Sequence, residues 1–380
     1  MIRFYNGRVL SFSGGLKISD SEVWTDGGVI THVGAANEDM PAFEREIDLK
    51  GDLLIPGFKD AHTHTAMTFL RSFADDMPLD RWLSEQVWPN EAKLTDESVY
   101  IFTQLGIMEY LSSGITASFD MYVHNEAYAK ANIDSGFRTV ICSGLNNFDR
   151  DVENIEREYL RFNSLHELVS YRLGIHAEYT TSPERMEYMA GLAEKYREPC
   201  FMHCAETKAE VDGCIERYGL TPPMLLEKMG LFRYGGGGYH CTWMSEDDLK
   251  RVMQYRRTMV GTDGMWYPGC GGCHPRSIGT FPRVLGRYVR EKQYITLPEA
   301  IRRMTSLPAQ VYGLKDKGLI VKGYDADMVL FDADKIIDRA YYGAFRTRCE
   351  GLNYVIVGGK TAAENAVFTG AKAGRIIRRP

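Results

Sequence analysis

The sequence predicts an α/β protein that combines a TIM-like (β/α) barrel with a small β-sandwich formed by both ends of the chain. Strand-like segments between turns occupy both ends, and apolar strands alternate with amphipathic helices in the middle. A chain of 380 residues is long enough for one large barrel and a small additional domain. We expect residues 1–56 and 316–380 to form the two parts of the sandwich and residues 57–315 to form the barrel.

The predicted sandwich strands are short runs of apolar and β-branched residues between turns that contain glycine. At the N-terminal end they cover residues 3–10, 16–19, 23–25, 29–33, 45–48 and 53–55, and at the C-terminal end residues 328–331, 354–357 and 366–368. Because all-β segments occur at both ends of the chain, the ends are expected to join in one sandwich.

The middle of the chain alternates between the two kinds of element. Predicted strands cover residues 115–119, 138–142, 171–175, 200–203 and 258–261, and predicted helices include residues 96–113, 183–195 and 246–255. Repeated β–α alternation predicts a parallel sheet, and at this length a barrel is the simplest closure.

Composition narrows the class of protein. With 44% hydrophobic residues, 25% charged residues and a net charge of -6, the chain has the balance of an ordinary soluble globular protein and not of a nucleic-acid binder. It contains no apolar stretch long enough to cross a membrane and no apolar signal-peptide core, so a cytoplasmic location is expected. Its eight cysteines are then reduced thiols. The expected partner is a small-molecule substrate, and a homo-oligomer is compatible with this fold.

Four residues at the predicted strand ends suggest a metal site. His62 and His64 lie two apart on one strand, so both side chains face the same side. His203 ends a short apolar strand, and Asp263 follows another. In barrels of this kind the chemistry occurs at the C-terminal ends of the strands. Imidazole and carboxylate groups are the ligands of zinc sites.

These residues, together with His240 and the run Thr262-Asp263-Gly264, resemble the amidohydrolase superfamily, and specifically its mononuclear deaminase branch. The resemblance implies one divalent metal ion, zinc in the first place with iron also compatible, held by His62, His64, His203 and Asp263. It also implies that Asp263 accepts a proton from the attacking water and that His240 orients the resulting hydroxide.

Glu206 is the residue that indicates deamination. It stands three residues after His203, where the resemblance implies a glutamate that protonates the ring nitrogen beside the attacked carbon. The alternative is that Glu206 caps the helix that follows.

Residues 75–91 resemble one subgroup, the deaminases of adenosine, S-adenosylhomocysteine and methylthioadenosine. In this subgroup Glu91 would hold the ribose hydroxyls and Trp82 would form a wall beside the nucleoside. His176 would lie near the sugar, and Arg150 would bind the carboxylate of homocysteine. The alternatives are that Trp82 is a core residue and that Arg150 is an ordinary surface charge.

The C-terminal third differs from this subgroup. Residues 263–286 and 323–327 resemble the N-acyl-D-amino-acid deacylases, and Asp263 follows His240 by only 23 residues, which leaves the seventh strand–helix unit of the barrel unaccounted for. A deacylase, a deaminase of another aminated heterocycle (guanine, a pterin or a triazine) and a barrel without turnover therefore remain alternatives. No role is assigned to the pair Cys270 and Cys273, and His274 is expected to be structural.

Overall fold

The computed structural model describes residues 1–11, 17–36, 40–70, 73, 77–149, 151–243, 245, 259–262, 276–293, 295–312, 314–341, 344 and 347–372. All structural statements below concern these residues. Several predictions lie outside them, namely the helix over residues 246–255 and the roles of Arg150, Asp263, Cys270, Cys273 and His274.

The strands are numbered in chain order. They are β1 Ile2–Tyr5, β2 Arg8–Ser11, β3 Lys17–Asp20, β4 Glu22–Asp26, β5 Val29–Gly34, β6 Arg45–Asp48, β7 Leu53–Pro56, β8 Phe58–Thr63, β9 Ile115–Met121, β10 Arg138–Cys142, β11 Val169–Ala177, β12 Cys200–Cys204, β13 Gly236–His240, β14 Met328–Phe331, β15 Leu352–Val357, β16 Lys360–Glu364 and β17 Val367–Phe368.

The helical segments lie mainly between the barrel strands. The α-helices are Leu79–Trp82, Trp88–Glu91, Asp96–Ser112, Asn125–Ser135, Asn154–Leu165, Pro183–Tyr196, Lys208–Tyr218, Pro222–Lys228, Arg276–Arg283, Leu297–Met304 and Ser306–Val311; Thr65–Leu70 and Glu178–Thr180 are 3-10 helices, and Leu83–Val87 and Val284–Glu291 are π-helices.

Six consecutive strands form a parallel sheet in the order β13-β12-β11-β10-β9-β8, with helices between most of them. The interior contains large apolar side chains such as Phe119, Phe201 and Tyr312. Tyr312 comes from the end of the last helix, stacks on Phe119 with ring centroids 4.1 Å apart and donates a hydrogen bond to the carbonyl of Ala61 at 2.7 Å. This is the predicted TIM-like barrel, nearly closed, with six parallel strands among the described residues.

Of the other two sheets, the smaller consists of N-terminal strands and the larger combines strands from both ends of the chain. One has the order β5-β4-β1-β6, and the other has the order β17-β16-β15-β14-β7-β2-β3. In the larger sheet Leu54 and Met328 face the smaller sheet, while Leu53, Ile55 and Val329 face the barrel. Because successive side chains in a strand point to opposite faces, a strand between two cores is apolar at every position. The domain boundaries near residues 56 and 316 stay a prediction.

Two details of the predicted sandwich are wrong. Residues 3–10 are two strands and not one, because the chain turns at Asn6, which has φ 57°, and Gly7. A Cβ at Gly7 would lie 2.4 Å from Cβ of Leu49, so only glycine fits there. Strand β16 was not predicted, although its hairpin with β15 has glycines at 358 and 359.

A buried cluster of charges connects the bottom of the barrel to the sandwich. Lys317 contacts both Asp325 and Asp327, and its distance to Asp327 is 2.7 Å. Arg138, the first residue of β10, pairs with Asp325 at 3.1 Å. Burial alone would raise the pKa of Asp327, but Lys317, Arg138 and Lys59 hold this pKa well below its usual value. Asp327 is therefore ionised and central to the cluster.

Replacing Asp327 with alanine is expected to lower the free energy of unfolding by about 3–5 kcal/mol, because two buried cations would lose a partner. The amide of Gly358 would also lose its 2.8 Å hydrogen bond to this carboxylate. Urea unfolding measures the change, with Asp334→Ala, at an exposed aspartate seven residues away, as the control. Equal stability of the two variants would contradict the expectation.

Among the described residues no helix is both long and apolar enough to span a bilayer. The cysteines described, Cys142, Cys200, Cys204, Cys214, Cys241 and Cys349, are free thiols.

Candidate metal-binding active site

Four histidines meet at the C-terminal ends of three barrel strands. His62 belongs to β8, His64 follows it directly, His203 belongs to β12, and His240 ends β13. The candidate ligand nitrogens of His62, His203 and His240 all lie within 4.8 Å of one another, and Nε2 of His203 lies 3.3 Å from Nε2 of His64. The structure thus brings together the three histidines predicted to bind metal and the histidine predicted to assist catalysis.

Backbone carbonyls orient two of these rings. Nδ1 of His64 lies 2.6 Å from the carbonyl oxygen of Met121, and Nδ1 of His203 lies 2.7 Å from that of His176. Because a carbonyl only accepts, each Nδ1 carries the hydrogen, and each Nε2 directs a lone pair at the other ring. In metal sites, histidine ligands are oriented by hydrogen bonds of this kind, made by the ring nitrogen that does not bind the metal.

This arrangement fits a metal ion. Two histidine nitrogens that bind a tetrahedral zinc ion, each at about 2.0–2.1 Å, lie about 3.3–3.4 Å apart. This distance matches the separation between Nε2 of His64 and Nε2 of His203. Burial and the neighbouring imidazoles of His176 and His64 hold the pKa of His203 well below its usual value. The ring is therefore neutral, which is the form that binds a metal.

Tyr239 supports the site from the barrel interior. Its ring stacks on the ring of His62 with centroids 3.7 Å apart and an angle of 13° between the planes. Tyr239 precedes His240 on β13, and its partner in the strand pairing is His203 on β12. This stacking limits rotation of the buried His62 ring.

The segment before Asp263 runs beside β8, where it was predicted to be a strand. Residues 259–262 do not join the sheet, so the predicted strand over residues 258–261 is wrong for the part described. Instead, the amide of Thr262 donates to Oδ1 of Asp60 at 2.8 Å, and the Thr262 hydroxyl donates to the other oxygen of Asp60. A Cβ at Gly261 would lie 2.9 Å from the amide nitrogen of His62, so glycine permits this close approach.

Asp60 is a site residue to which the sequence argument gave no role. It is buried, lies two residues before His62 on the same face of β8, and holds Thr262. A carboxylate two positions before a candidate ligand on a barrel strand is the signal that could have identified it.

Glu206 lies beside the imidazoles, with Oε1 3.6 Å from Nε2 of His240. The following helix, Lys208–Tyr218, has Thr207 as its N-cap, and the Thr207 side chain accepts from the amide of Glu210 at 3.1 Å. The alternative that Glu206 caps this helix is therefore wrong. Its carboxylate faces the histidine site instead.

The predicted substrate residues have different surroundings. Burial raises the pKa of Glu91, whose carboxyl group lies near Tyr122 and His64. His176 bonds through Nδ1 to Oγ1 of Thr180 at 2.8 Å, and burial lowers its pKa to about 4. Trp82 is half-buried in an apolar cluster with Met67, Leu70 and Val87, which fits the core alternative. Arg150 lies outside the described residues.

Fold and site together define the class: a barrel hydrolase with an imidazole cluster at the C-terminal ends of its strands. A model of the amidohydrolase family matches residues 53–260, more than half of the chain, and a second amidohydrolase model matches residues 256–363. The chain therefore belongs to the amidohydrolase family, as its sequence motifs predicted, and is a hydrolase that acts on carbon–nitrogen bonds.

Several relatives resemble the chain over much of its length. The 5-methylthioadenosine/S-adenosylhomocysteine deaminase of Pyrococcus furiosus is 31% identical over 361 residues, covering 86% of this chain and 85% of that protein. The 5'-deoxyadenosine deaminase of Methanospirillum hungatei is 38% identical over 250 residues, covering 63% of this chain and 56% of that protein. The structure of an adenosine deaminase from Xanthomonas campestris with bound zinc has the same fold, with a TM-score of 0.76, 22% identity and coverage of 97% and 94%.

Proposed function

We propose that the protein is a metal-dependent hydrolytic deaminase of an adenine nucleoside or a thioether derivative of one, such as adenosine, methylthioadenosine or S-adenosylhomocysteine. The observation that carries this proposal is the position of the Glu206 carboxylate, 3.6 Å from His240 and beside the imidazole cluster. Replacing a ring amino group requires a proton donor next to the group that delivers hydroxide, and Glu206 meets this requirement. The relatives named as deaminases of adenine nucleosides support the same substrate class.

The metal ligands in this proposal are His62, His64, His203 and Asp263. A divalent metal, which we propose to be zinc, would lower the pKa of water to about 7 and so make hydroxide available at neutral pH. Asp263 directly follows Thr262, and the two hydrogen bonds from Thr262 to Asp60 hold this part of the chain against β8. This contact supports the delivery of Asp263 to the site despite its short distance from His240 in the sequence.

The protein groups then move the protons. The Asp263 carboxylate accepts a proton from the attacking water, and His240 stabilises the attacking oxygen by a hydrogen bond from its ring. The Glu206 carboxyl donates its proton to the ring nitrogen beside the attacked carbon. The attacked carbon becomes tetrahedral. Asp263 then passes its proton to the amino group, the attacking oxygen gives its remaining proton to the Glu206 carboxylate, and the carbon–nitrogen bond breaks with release of ammonia.

Four residues bind the nucleoside in this proposal. Glu91 accepts hydrogen bonds from the two ribose hydroxyls, and its contact with Tyr122 and proximity to His64 support this role. His176 lies near the sugar, and its ring centroid is 4.8 Å from that of His203. Trp82 forms a wall beside the nucleoside, and Arg150 binds the carboxylate of a homocysteine substituent.

A panel of substrates tests the proposal. We expect adenosine, 5'-deoxyadenosine, methylthioadenosine and S-adenosylhomocysteine to be converted to the corresponding products with hypoxanthine in place of adenine. The kcat/KM for these substrates is expected to exceed the kcat/KM for guanine. The loss of adenine absorbance measures the conversion, and the same protein after removal of its metal is the control. Activity on guanine alone would favour the alternative of another aminated heterocycle.

The second candidate function is hydrolysis of N-acyl-D-amino acids. It is favoured by the resemblance of residues 263–286 and 323–327 to the N-acyl-D-amino-acid deacylases, within the part of the chain that a separate amidohydrolase model matches. Release of amino acid from such substrates, with undiminished rate in Glu206→Gln, would support this candidate, because amide hydrolysis does not require a proton donor to a ring nitrogen.

A further inference from the structure

Glu210 lies in the first turn of the helix Lys208–Tyr218 and folds back toward the turn that carries Glu206. Its two carboxylate oxygens accept separate hydrogen bonds, Oε1 from the amide of Ala205 at 2.8 Å and Oε2 from the amide of Glu206 at 2.9 Å. The side chain is buried, with 4% of the residue exposed. One carboxylate thus binds two consecutive amides just after the metal-site histidine His203.

The backbone held in this way has an uncommon conformation. Ala205 has φ 52°, in the left-handed region that residues with a Cβ rarely adopt. Its carbonyl oxygen accepts from the amide of Trp243 at 2.8 Å, so both backbone groups of Ala205 have fixed partners. A residue keeps such a conformation only where its surroundings impose it. Glu210 supplies the side-chain part of that constraint.

The contact of the Glu210 carboxylate with the amides of Ala205 and Glu206, which we call the clamp, is supported by a second contact of the same helix. Arg217, on the same helix, pairs with the buried Glu178 at 2.8 Å. Glu178 follows β11 and stands between His176 and Tyr179 in the sequence. The helix that carries Glu210 is therefore tied to a second loop at the mouth of the barrel. Movement of Glu210 away from the turn is restricted by this ion pair and by the Thr207 cap.

We propose that Glu210 is a positioning residue: through the amides of Ala205 and Glu206 it directs the Glu206 carboxylate toward His240 and the substrate ring. The inference rests on the proposed function, in which Glu206 transfers a proton. Glu210 itself does not touch the substrate. Because small misplacements of a catalytic group are costly, loss of the clamp slows the chemical step more than it weakens substrate binding.

The test compares Glu210→Gln in the natural chain and in the Glu206→Gln variant. A glutamine keeps one acceptor but turns an NH2 toward the second amide, so the clamp is broken with little change in volume. We expect kcat to fall up to about 100-fold, with KM within about threefold and metal content unchanged. In the Glu206→Gln background the same change is expected to lower the residual rate less than about twofold, since the effect acts through Glu206.

Glu216→Gln, at an exposed glutamate on the same helix, is the matched control and is expected to retain the kcat of the natural chain. A merely structural role of Glu210 predicts equal losses in both backgrounds. Equal losses, or a Glu210→Gln kcat within about twofold of the natural chain, would overturn the inference.

Amide hydrogen exchange makes the inference testable even if the proposed function fails. A natural chain that deaminates none of the nucleosides with metal bound overturns the proposed function. In that case, faster exchange at Ala205 and Glu206 in Glu210→Gln, but not in Glu216→Gln, still supports the clamp. Unchanged exchange at these two amides overturns it.

Discussion

Replacing Glu206 with glutamine is expected to lower kcat for deamination of adenine nucleosides by a factor of about 100 to 10,000 while the metal stays bound. Glutamine is close in size to glutamate, but it cannot supply the proton that the ring nitrogen needs. The carboxylate lies 3.6 Å from His240 and is not one of the proposed ligands. Its loss therefore removes proton transfer and leaves the imidazole cluster intact.

Steady-state kinetics and metal analysis of the same preparations measure this effect. Glu216→Gln, which makes the same chemical change at an exposed position, is the control and is expected to behave like the natural chain. If Glu206→Gln kept most of the deaminase activity, the assignment of Glu206 as the proton donor would be wrong.

Replacing Asp263 with alanine is expected to lower kcat by roughly 1,000-fold or more and to weaken metal binding, because one side chain acts as ligand and as proton acceptor. The expectation depends on Asp263 reaching the site although only 23 residues separate it from His240. Thr262 bonds to Asp60, and Gly261 lies against the His62 backbone, so the chain reaches β8 directly before Asp263.

Kinetics and metal content after gel filtration test this second expectation, with Asp334→Ala at an exposed position as the control. Full activity and full metal content in Asp263→Ala would show that another group completes the ligand set. The barrel would then differ from the predicted arrangement at its C-terminal side.

The sequence was most informative where one residue pattern requires one geometry. Strands β10 and β14 have the predicted bounds, and the rings of His62 and His64 lie together at one end of the barrel, although His64 follows β8 and does not belong to it. The amidohydrolase family was also predicted correctly. The roles of the individual site residues stay predictions.

Contacts between distant parts of the chain were harder to predict. The attachment of Thr262 to Asp60 joins residues 202 positions apart, and no local pattern encodes that pairing. Glu210 is an ordinary helix residue by spacing, and only the left-handed turn at Ala205 brings its carboxylate to two amides. The strand predicted over residues 258–261 had the right apolar composition, but composition does not decide whether a segment joins a sheet.

The two family matches meet at residues 256–260, close to where the described sheet ends and the segment beside β8 begins. The first match contains the four histidines and Glu206, and the sequence of the second match contains Asp263.

Ammonia release from methylthioadenosine by the metal-loaded protein, before and after removal of the metal with a chelator, tests the central claim most directly. We predict one ammonia for each hypoxanthine product formed, loss of activity on chelation, and recovery when zinc is restored. A chelated protein that is as active as the metal-loaded one, or a metal-loaded protein that releases no ammonia from any of the adenine nucleosides, would contradict the proposed function.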